Sequence, residues 1–120
     1  MSSKILQYVI LRKDLVGKKS SFSLGANMAQ ACHAAGAAIF KTFTSPHTTE
    51  FLSSLEDMTV CVLSIESAAE LEAIGIVLKQ NDIPFHLWIE KPENIPTALA
   101  TAPMPKDIVF PYVSHLKLLR

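Results

Sequence analysis

Polar side chains that can do chemistry are concentrated in one alanine-rich stretch near the N-terminus, SLGANMAQACHAA. Ala26, Gln30 and His33 recur at i, i+4 and i+7, so on a helix they share one face, with Asn27 beside it. An imidazole can take a proton as a general base, and a side-chain amide can position a substrate through hydrogen bonds. Two interpretations of this polar stripe stay open: it serves chemistry, with His33 as the base, or it only holds the geometry of a neighbouring loop.

The composition is that of a globular domain. The chain has 120 residues, of which 49% are hydrophobic and 18% are charged, and this balance excludes a disordered protein. No apolar run approaches the roughly 18 residues of a membrane span. The apolar run at residues 5–11 is too short, and too soon followed by charge, for a secretory signal. We expect one domain over residues 1–120 that is soluble, intracellular and cytoplasmic, with no membrane partner.

The two cysteines exclude two common kinds of site. Cys32 and Cys61 are too few for a disulfide framework, and the chain has no CxxC or HxxxH spacing for zinc. The four histidines show no paired spacing either, so no metal is expected. Both thiols are predicted to be free and buried, with Cys32 in the core one turn from Met28.

Charge is unevenly distributed along a chain whose formal net charge is zero. Residues 1–45 contain six basic side chains and one acidic side chain, whereas residues 46–120 contain five basic and ten acidic ones. A basic region on a neutral protein indicates a polyanion that touches one edge, such as the phosphates of an RNA. The alternative is a solvated loop whose lysines serve solubility. Lys18 and Lys19 are the candidate phosphate-binding residues.

Hydrophobic patterning predicts four strands separated by helices. Residues 5–11 and 59–65 are apolar on both faces, which is typical of buried strands, and the first is expected to be central. Ser23 is the candidate cap of the alanine-rich helix, and Ser67 with Glu70 forms a capping box for a second long helix. The remaining predictions are strands at 85–90 and 97–102, helices at about 24–40, 48–55, 67–80 and from 105, and a strand or docked tail at 115–119.

The order of these elements predicts an α/β domain in three layers, with at least one parallel crossover. The third strand places alternate side chains on opposite faces of the sheet. Trp88 on this strand can stack on a base or pack beneath a helix. The two predicted faces are Phe85, Leu87 and Ile89 on one side and His86, Trp88 and Glu90 on the other.

Two motifs in a fixed order carry a family resemblance. RKDL at residues 12–15 is followed, after a spacer, by GANMAQACHAA at residues 25–35. This order resembles the N-terminal signature of the type 2 peptidyl-tRNA hydrolase family, in which R-x-D-L leads into G-K-x-A-A-Q-x-x-H-A. Residues 97–105 and 115–119 are similar to that family's closing strand, helix start and C-terminal segment. Residues 89–97 look most like the branch described as peptidyl-tRNA hydrolase domain-containing protein.

The resemblance implies both a fold and an activity. The fold is a three-layer α/β/α arrangement around a four-stranded mixed sheet. The activity is hydrolysis of the ester that joins a peptide to the 3′ ribose of tRNA, so the implied partner is peptidyl-tRNA. Members of the family are often dimers, which makes a homodimer an expectation. No metal or organic cofactor is implied.

Two functional positions of the family differ in this sequence. Ala26 stands where the family has a lysine after the motif glycine. The aspartate of a D-A-G-R-T-Q-like loop has no counterpart in the shorter loop at residues 91–94. Glu90 and Glu93 are the carboxylates nearest to the missing aspartate, and we favour Glu93 because it lies in the turn itself. Lys18, Lys19 or Lys91 can supply a cation in place of the missing lysine.

The candidate site follows from what ester hydrolysis needs: a positioned water, a group that takes its proton, and donors for the developing oxyanion. Thr97 matches the threonine that begins the family's last strand, and with Asn94 it can orient water or donate to an oxyanion. Two functions stay open, a hydrolase and a member of the same fold that binds tRNA or a protein without catalysis. The predicted catalytic residues are His33, Glu93 and Thr97, and the predicted substrate-binding residues are Lys18, Lys19, Asn27, Gln30 and Asn94.

Overall fold

Six strands and four α-helices make up the fold in the computed structural model, which describes residues 3–17, 20 and 22–120. Short 3₁₀ turns occupy Lys13–Leu15 and Leu55–Asp57. The helices are α1 (Leu24–Lys41), α2 (Pro46–Leu52), α3 (Ala68–Gln80) and α4 (Lys106–Val113). The strands are β1 (Ile5–Arg12), β2 (Val60–Ile65), β3 (Phe85–Glu90), β4 (Ile95–Thr101), β5 (Met104–Pro105) and β6 (Lys117–Leu118).

The strands form one mixed sheet in the order β3-β4-β1-β2-β6, with β5 paired to β1. Strands β1 and β2 run parallel, and the other pairs are antiparallel. The predicted α/β class is confirmed, but the sheet has six strands and not four. The two additional strands are two residues long, which is too short for an alternating pattern to reveal them. One of them, β6, lies in the segment predicted as a strand or a docked tail.

Strand β1 lies between β4 and β2, in agreement with its prediction as the central strand. Every residue from 6 to 11 is buried, because helices cover both faces of the sheet. Leu6, Tyr8 and Ile10 belong to the core on the side of α3 and α4, whereas Val9 and Leu11 belong to the core on the side of α1. The three predicted layers follow from this alternation.

Small side chains let α1 lie close to the sheet. Ser23 caps the helix, since its Oγ accepts a 3.1 Å hydrogen bond from the backbone nitrogen of Ala26. Further along, the buried residues Ala34 and Ala38 pack with the alanines of β4. This close approach brings the polar face of α1 to the ends of β3 and β4, where the candidate site lies.

The opposite face of the sheet is covered by α3 and α4. The predicted Ser67 cap of α3 forms, since Ser67 Oγ accepts from the backbone nitrogen of Glu70 at 3.2 Å. The return bond of the predicted capping box is displaced by one residue, because Glu70 Oε2 accepts at 3.2 Å from the backbone nitrogen of Glu66 and not from that of Ser67. Pro111 lies inside α4 and does not end it. Across residues 3–17, 20 and 22–120, none of the helices combines the length and the apolar character needed to cross a bilayer.

The predicted burial of Cys32 is wrong. The residue is exposed, and Cys61 is half-buried, while both thiols are free. The buried positions of α1 are Asn27, Gln30, Ala34 and Ala38. Position 32 lies two residues from both Gln30 and Ala34, which is about 200° around the helix, so Cys32 points away from the sheet. Cys32 does lie one helical turn from Met28, but Met28 is itself 61% exposed, so sharing its face does not bury Cys32.

Candidate functional site

Gln30 is the centre of the candidate site. Its side-chain nitrogen Nε2 donates a 2.6 Å hydrogen bond to Glu90 Oε2, and its oxygen Oε1 accepts a 3.4 Å hydrogen bond from Thr97 Oγ1. Gln30 and Thr97 are each only 1% exposed. We call this chain of three side chains, Thr97–Gln30–Glu90, the amide relay. It joins α1 to the end of β3 and the beginning of β4.

Glu90 is the acidic end of the relay and is half-buried at the last position of β3. Its second oxygen, Oε1, accepts a 3.2 Å hydrogen bond from the indole nitrogen of Trp88. Hydrogen bonds from Gln30 and then from Trp88 hold the pKa of Glu90 below its usual range, although partial burial acts in the other direction. The backbone amide of Lys91 and the charge of His33 lower this pKa further. Glu90 is therefore a carboxylate at neutral pH.

His33 stacks on Trp88 one helical turn beyond Gln30. The ring centroids are 4.4 Å apart and the planes are inclined by 13°. His33 is exposed, so its ring lies between Trp88 and solvent. Trp88 packs against the core beneath α1, in agreement with one of its two interpretations. In the part of the chain that the structure describes, no hydrogen bond joins the His33 ring to the relay.

Asn27 holds the loop that precedes α1. Its side-chain nitrogen donates to the carbonyl oxygens of Leu15 at 2.8 Å and Ser23 at 3.1 Å. Both amide hydrogens are therefore committed to the backbone, and only its oxygen is left for a ligand. The loop-holding interpretation of the polar stripe applies to Asn27, whereas Gln30 forms the middle of the relay.

Arg12 is a residue of this site that the sequence did not single out. Its guanidinium donates from Nε and Nη2 to the two carboxylate oxygens of Asp14, at 3.0 and 2.7 Å. Its Nη1 donates to the carbonyl oxygen of Pro96 at 3.0 Å, one residue before Thr97. The R-x-D spacing of the motif is the signal that could have revealed this role, since a forked guanidinium binds a carboxylate in two places.

The turn after β3 separates two of the predicted residues from the relay. Asn94 adopts a positive φ of 59°, which asparagine tolerates well, and its Oδ1 accepts from Lys91 Nζ. Glu93 is exposed, and the described residues offer no hydrogen bond to its side chain. The carboxylate that contacts Gln30 is thus Glu90, the alternative that the sequence had ranked second. A role for Glu93 stays a prediction.

The basic region of residues 1–45 is partly neutralised in the fold. Lys4 pairs with Asp57 at 2.9 Å, and Arg12 pairs with Asp14 at 2.7 Å. Lys18 and Lys19 lie outside the described residues. Lys41 is the last residue of α1, 11 residues and about 17 Å along the helix from Gln30. Among the described residues, no lysine or arginine forms an ion pair with Glu90.

The relay leaves hydrogen-bonding groups available to a ligand. In the ranges 3–17, 20 and 22–120, no three His, Cys, Asp or Glu side chains lie close enough together to hold a metal ion. Gln30 Nε2 carries a second hydrogen beyond the one given to Glu90, and the Glu90 carboxylate keeps acceptor capacity beyond its hydrogen bonds from Gln30, Trp88 and the Lys91 backbone. The site therefore offers one amide donor and one ionised acceptor side by side, positioned by a buried hydroxyl.

Comparisons with known proteins agree with this fold. Residues 5–119 match the family model described as peptidyl-tRNA hydrolase PTH2. Two relatives, from Homo sapiens and Mus musculus and both named "Putative peptidyl-tRNA hydrolase PTRHD1", are 40% identical over 116 residues, which are 97% of this chain and 83% of each relative. A solved structure titled as a protein of unknown function, Atu0240 from Agrobacterium tumefaciens strain C58, has a TM-score of 0.67 and 14% identity over 97% of this chain and 98% of its own. At that identity the likeness shows the fold alone.

Proposed function

The chain belongs to the peptidyl-tRNA hydrolase PTH2 family, and from this premise we propose that it hydrolyses the ester between a peptide and the 3′ ribose of tRNA. The observation that carries the proposal is the position of Gln30, whose amide lies between the buried hydroxyl of Thr97 and the carboxylate of Glu90. A buried amide that orders a hydroxyl and an ionised acid costs conformational freedom. A function at this position explains why the fold keeps these three side chains ordered despite the loss of conformational entropy.

The proposed reaction assigns one step to each group of the relay. A water held at Glu90 attacks the ester carbonyl carbon, and its proton passes to the carboxylate. The second hydrogen of Gln30 Nε2 donates to the oxyanion that forms on the carbonyl oxygen. As the carbon–oxygen bond to the ribose breaks, the proton moves from Glu90 to the ribose oxygen, so peptide acid and free tRNA leave. Thr97 fixes which way the Gln30 amide points.

The lowered pKa of Glu90 limits how fast this reaction can be. A carboxylate that is stabilised by hydrogen bonds from Gln30 and Trp88 is a weaker base than an ordinary one. Its advantage is position, because it is ionised and held beside the amide donor. We therefore expect slow turnover, with general-base catalysis at the lower end of the usual range of about 10²- to 10⁴-fold.

Ala26 supports a second candidate function. The family lysine at this position is replaced by a methyl group, so an oxyanion at the site lacks that cation. A chain that still folds and still presents the relay can bind tRNA, or a protein, without cleaving the ester. The homodimer expected from the family also stays a prediction, which sedimentation velocity over a range of protein concentrations tests.

Single-turnover hydrolysis of an N-blocked aminoacyl-tRNA decides between the two functions. We expect release above the uncatalysed rate by the wild-type protein, a loss of about tenfold or more in Glu90→Gln and Thr97→Val, and an unchanged rate in the control Glu72→Gln, whose carboxylate is exposed on α3. Loss in Glu93→Gln with retention in Glu90→Gln would instead make Glu93 the proton acceptor. No turnover by the wild type, with tRNA still bound, would favour the binding function.

A further inference from the structure

The contacts between α1 and β3 continue well beyond the relay. Gln30 contacts Glu90, then His33 stacks on Trp88, and at the far end Lys41 Nζ lies 3.3 Å from His86 Nδ1. Later residues of α1 meet earlier residues of β3, so the helix and the strand run antiparallel. We call this row the α1–β3 groove, and its members are Gln30, His33, Lys41, His86, Trp88 and Glu90.

The groove lies at an open edge of the sheet. Strand β3 is the terminal strand, with β4 as its neighbour on one side. From Glu90 to His86 the strand covers four residues, or about 13 Å at the rise of an extended chain. That distance suits about four stacked nucleotides at about 3.4 Å each. The edge is therefore long enough to hold a short single-stranded segment of nucleic acid.

The two ends of the groove carry opposite charge. Glu90 is ionised at one end, and Lys41 is exposed at the other. Lys41 uses two of its three hydrogens, for the carbonyl oxygen of Phe85 at 3.2 Å and for the His86 ring, and one hydrogen remains for a phosphate. Burial and the Lys41 charge lower the pKa of His86, so its Nδ1 acts as an uncharged acceptor that holds the lysine in place.

A cavity of about 690 Å³ opens at the Lys41 end. Lys79 and Lys41 reach it from two different helices, against one acidic residue, Asp82. Thr42 and His86 also line the cavity, and its remaining walls are apolar, which suits the face of a nucleobase beside a phosphate. The apolar lining residues are Ala38, Ile83, Pro84, Phe85 and Leu87.

We propose that the α1–β3 groove binds the single-stranded 3′-terminal nucleotides of tRNA, with a base stacked on His33 and a backbone phosphate at Lys41 and Lys79. The polarity follows from charge. The acidic end repels phosphates and receives the terminal ribose, whose 3′ oxygen bears an ester and no phosphate, while the upstream phosphates extend toward the lysines. The proposal rests on the proposed function, because it assigns the ester to Glu90. Stacking on His33 continues the stack that His33 already forms with Trp88.

Binding of a fluorescent four-nucleotide RNA ending in CCA, measured by anisotropy against salt, tests the groove separately from catalysis. We expect the double variant Lys41→Gln/Lys79→Gln to weaken binding about tenfold and to reduce the slope of log affinity against log salt by about 0.7 for each phosphate that the variant no longer binds. His33→Ala should weaken binding about fivefold or more, while His33→Phe should restore it, because stacking requires only an aromatic face. The matched control is Lys117→Gln, an exposed lysine on β6 at the other edge of the sheet.

The same variants distinguish a failure of the groove from a failure of the hydrolase. If the double lysine variant binds the RNA as well as Lys117→Gln does, with the same salt slope, the groove proposal is wrong even when the wild type hydrolyses peptidyl-tRNA. If the protein binds a blunt-ended duplex of the same sequence with the same affinity as the single-stranded RNA, the groove proposal is also wrong. If the lysine and His33 effects appear but no hydrolysis does, the groove proposal holds and the hydrolase assignment fails.

Discussion

Gln30 Nε2 and Glu90 Oε2 lie 2.6 Å apart, although 60 residues separate them in the chain. This contact connects α1 to the edge strand β3, and the antiparallel pairing of β3 with β4 then brings Thr97 to the other side of the same amide. The candidate site is thus a product of the sheet order, because β4 lies between β3 and the central strand. Without that order the three side chains of the relay would not meet.

Replacing Gln30 should destabilise the fold. Gln30→Leu keeps the volume but leaves the buried hydroxyl of Thr97 without its acceptor and removes the donor to Glu90. An unsatisfied buried polar group costs about 1–3 kcal/mol, so we expect a loss of that size in the free energy of unfolding. Urea unfolding measures it, with Gln80→Leu at the exposed end of α3 as the control. A loss below about 0.5 kcal/mol in Gln30→Leu would mean that the relay contributes little to stability.

Stability should fall at acid pH in two separate windows. A group whose pKa is lower in the folded chain than in the unfolded chain stabilises the fold above its unfolded pKa and loses that contribution as pH falls through the folded value. The pKa values of both His86 and Glu90 are lowered. The His86 contribution begins to fall below about pH 6.5 and that of Glu90 below about pH 4.3.

Thermal unfolding of variants from pH 7 to pH 3 separates the two groups. The difference in Tm between the wild type and Glu90→Gln should shrink as pH falls through the acid window, because protonated Glu90 and glutamine are then alike in charge. The difference between the wild type and His86→Gln should change earlier, just below neutrality. A constant Tm difference for Glu90→Gln over the whole range would contradict the lowered pKa.

Much of the fold could be predicted from the sequence because its signals are local. The apolar strands and the Ser23 and Ser67 helix caps each depend on a few neighbouring residues, and the structure has all of them. The face alternation of β3 also followed from a period of two, with Trp88 on the α1 side and Phe85 and Leu87 on the other. The two-residue strand β5 was missed because it carries no period, whereas β6 lies in the segment predicted as a strand or a docked tail.

The candidate site was only half accessible from the sequence. Helical spacing placed Gln30 and His33 on one face, but which carboxylate meets Gln30 depends on where the turn after β3 leaves the sheet. Strand β3 pairs with β4 through Glu90 after a register shift between Trp88 and Ile89. The Glu90 side chain lies on the α1 face, where it contacts Gln30 and Trp88, while Glu93 lies in the turn and is exposed. The Arg12 bond to Pro96 crosses 84 residues and depends on β1 pairing with β4, which no local pattern reports.

Small residues under α1 should be intolerant of added volume. Ala34 is fully buried at the contact with the alanines of β4, so Ala34→Leu forces α1 away from the sheet, and we expect a loss of about 1–3 kcal/mol in the free energy of unfolding. Gly36 on the same helix is exposed, and a Cβ there would meet no atom within 4 Å. Gly36→Ala should therefore stabilise by about 0.5–1 kcal/mol. Denaturant midpoints of the two variants should move in opposite directions, and a shared direction would contradict this packing.

Arg12 should contribute to stability and activity through the geometry of its hydrogen bonds more than through its charge. Its side chain is 12% exposed and makes three directed hydrogen bonds, two to Asp14 and one to the carbonyl oxygen of Pro96. A lysine keeps the charge but has no planar guanidinium group. Arg12→Lys should therefore lose the hydrogen bond to the Pro96 carbonyl oxygen and reduce the free energy of unfolding by about 1 kcal/mol. Because Pro96 precedes Thr97, ester hydrolysis should also slow. Asp14→Asn is the control, because it weakens the ion pair but leaves the hydrogen bond from Arg12 to Pro96. It should therefore keep more hydrolytic activity than Arg12→Lys. If Arg12→Lys is instead the more active variant, the site requires the charge of the pair.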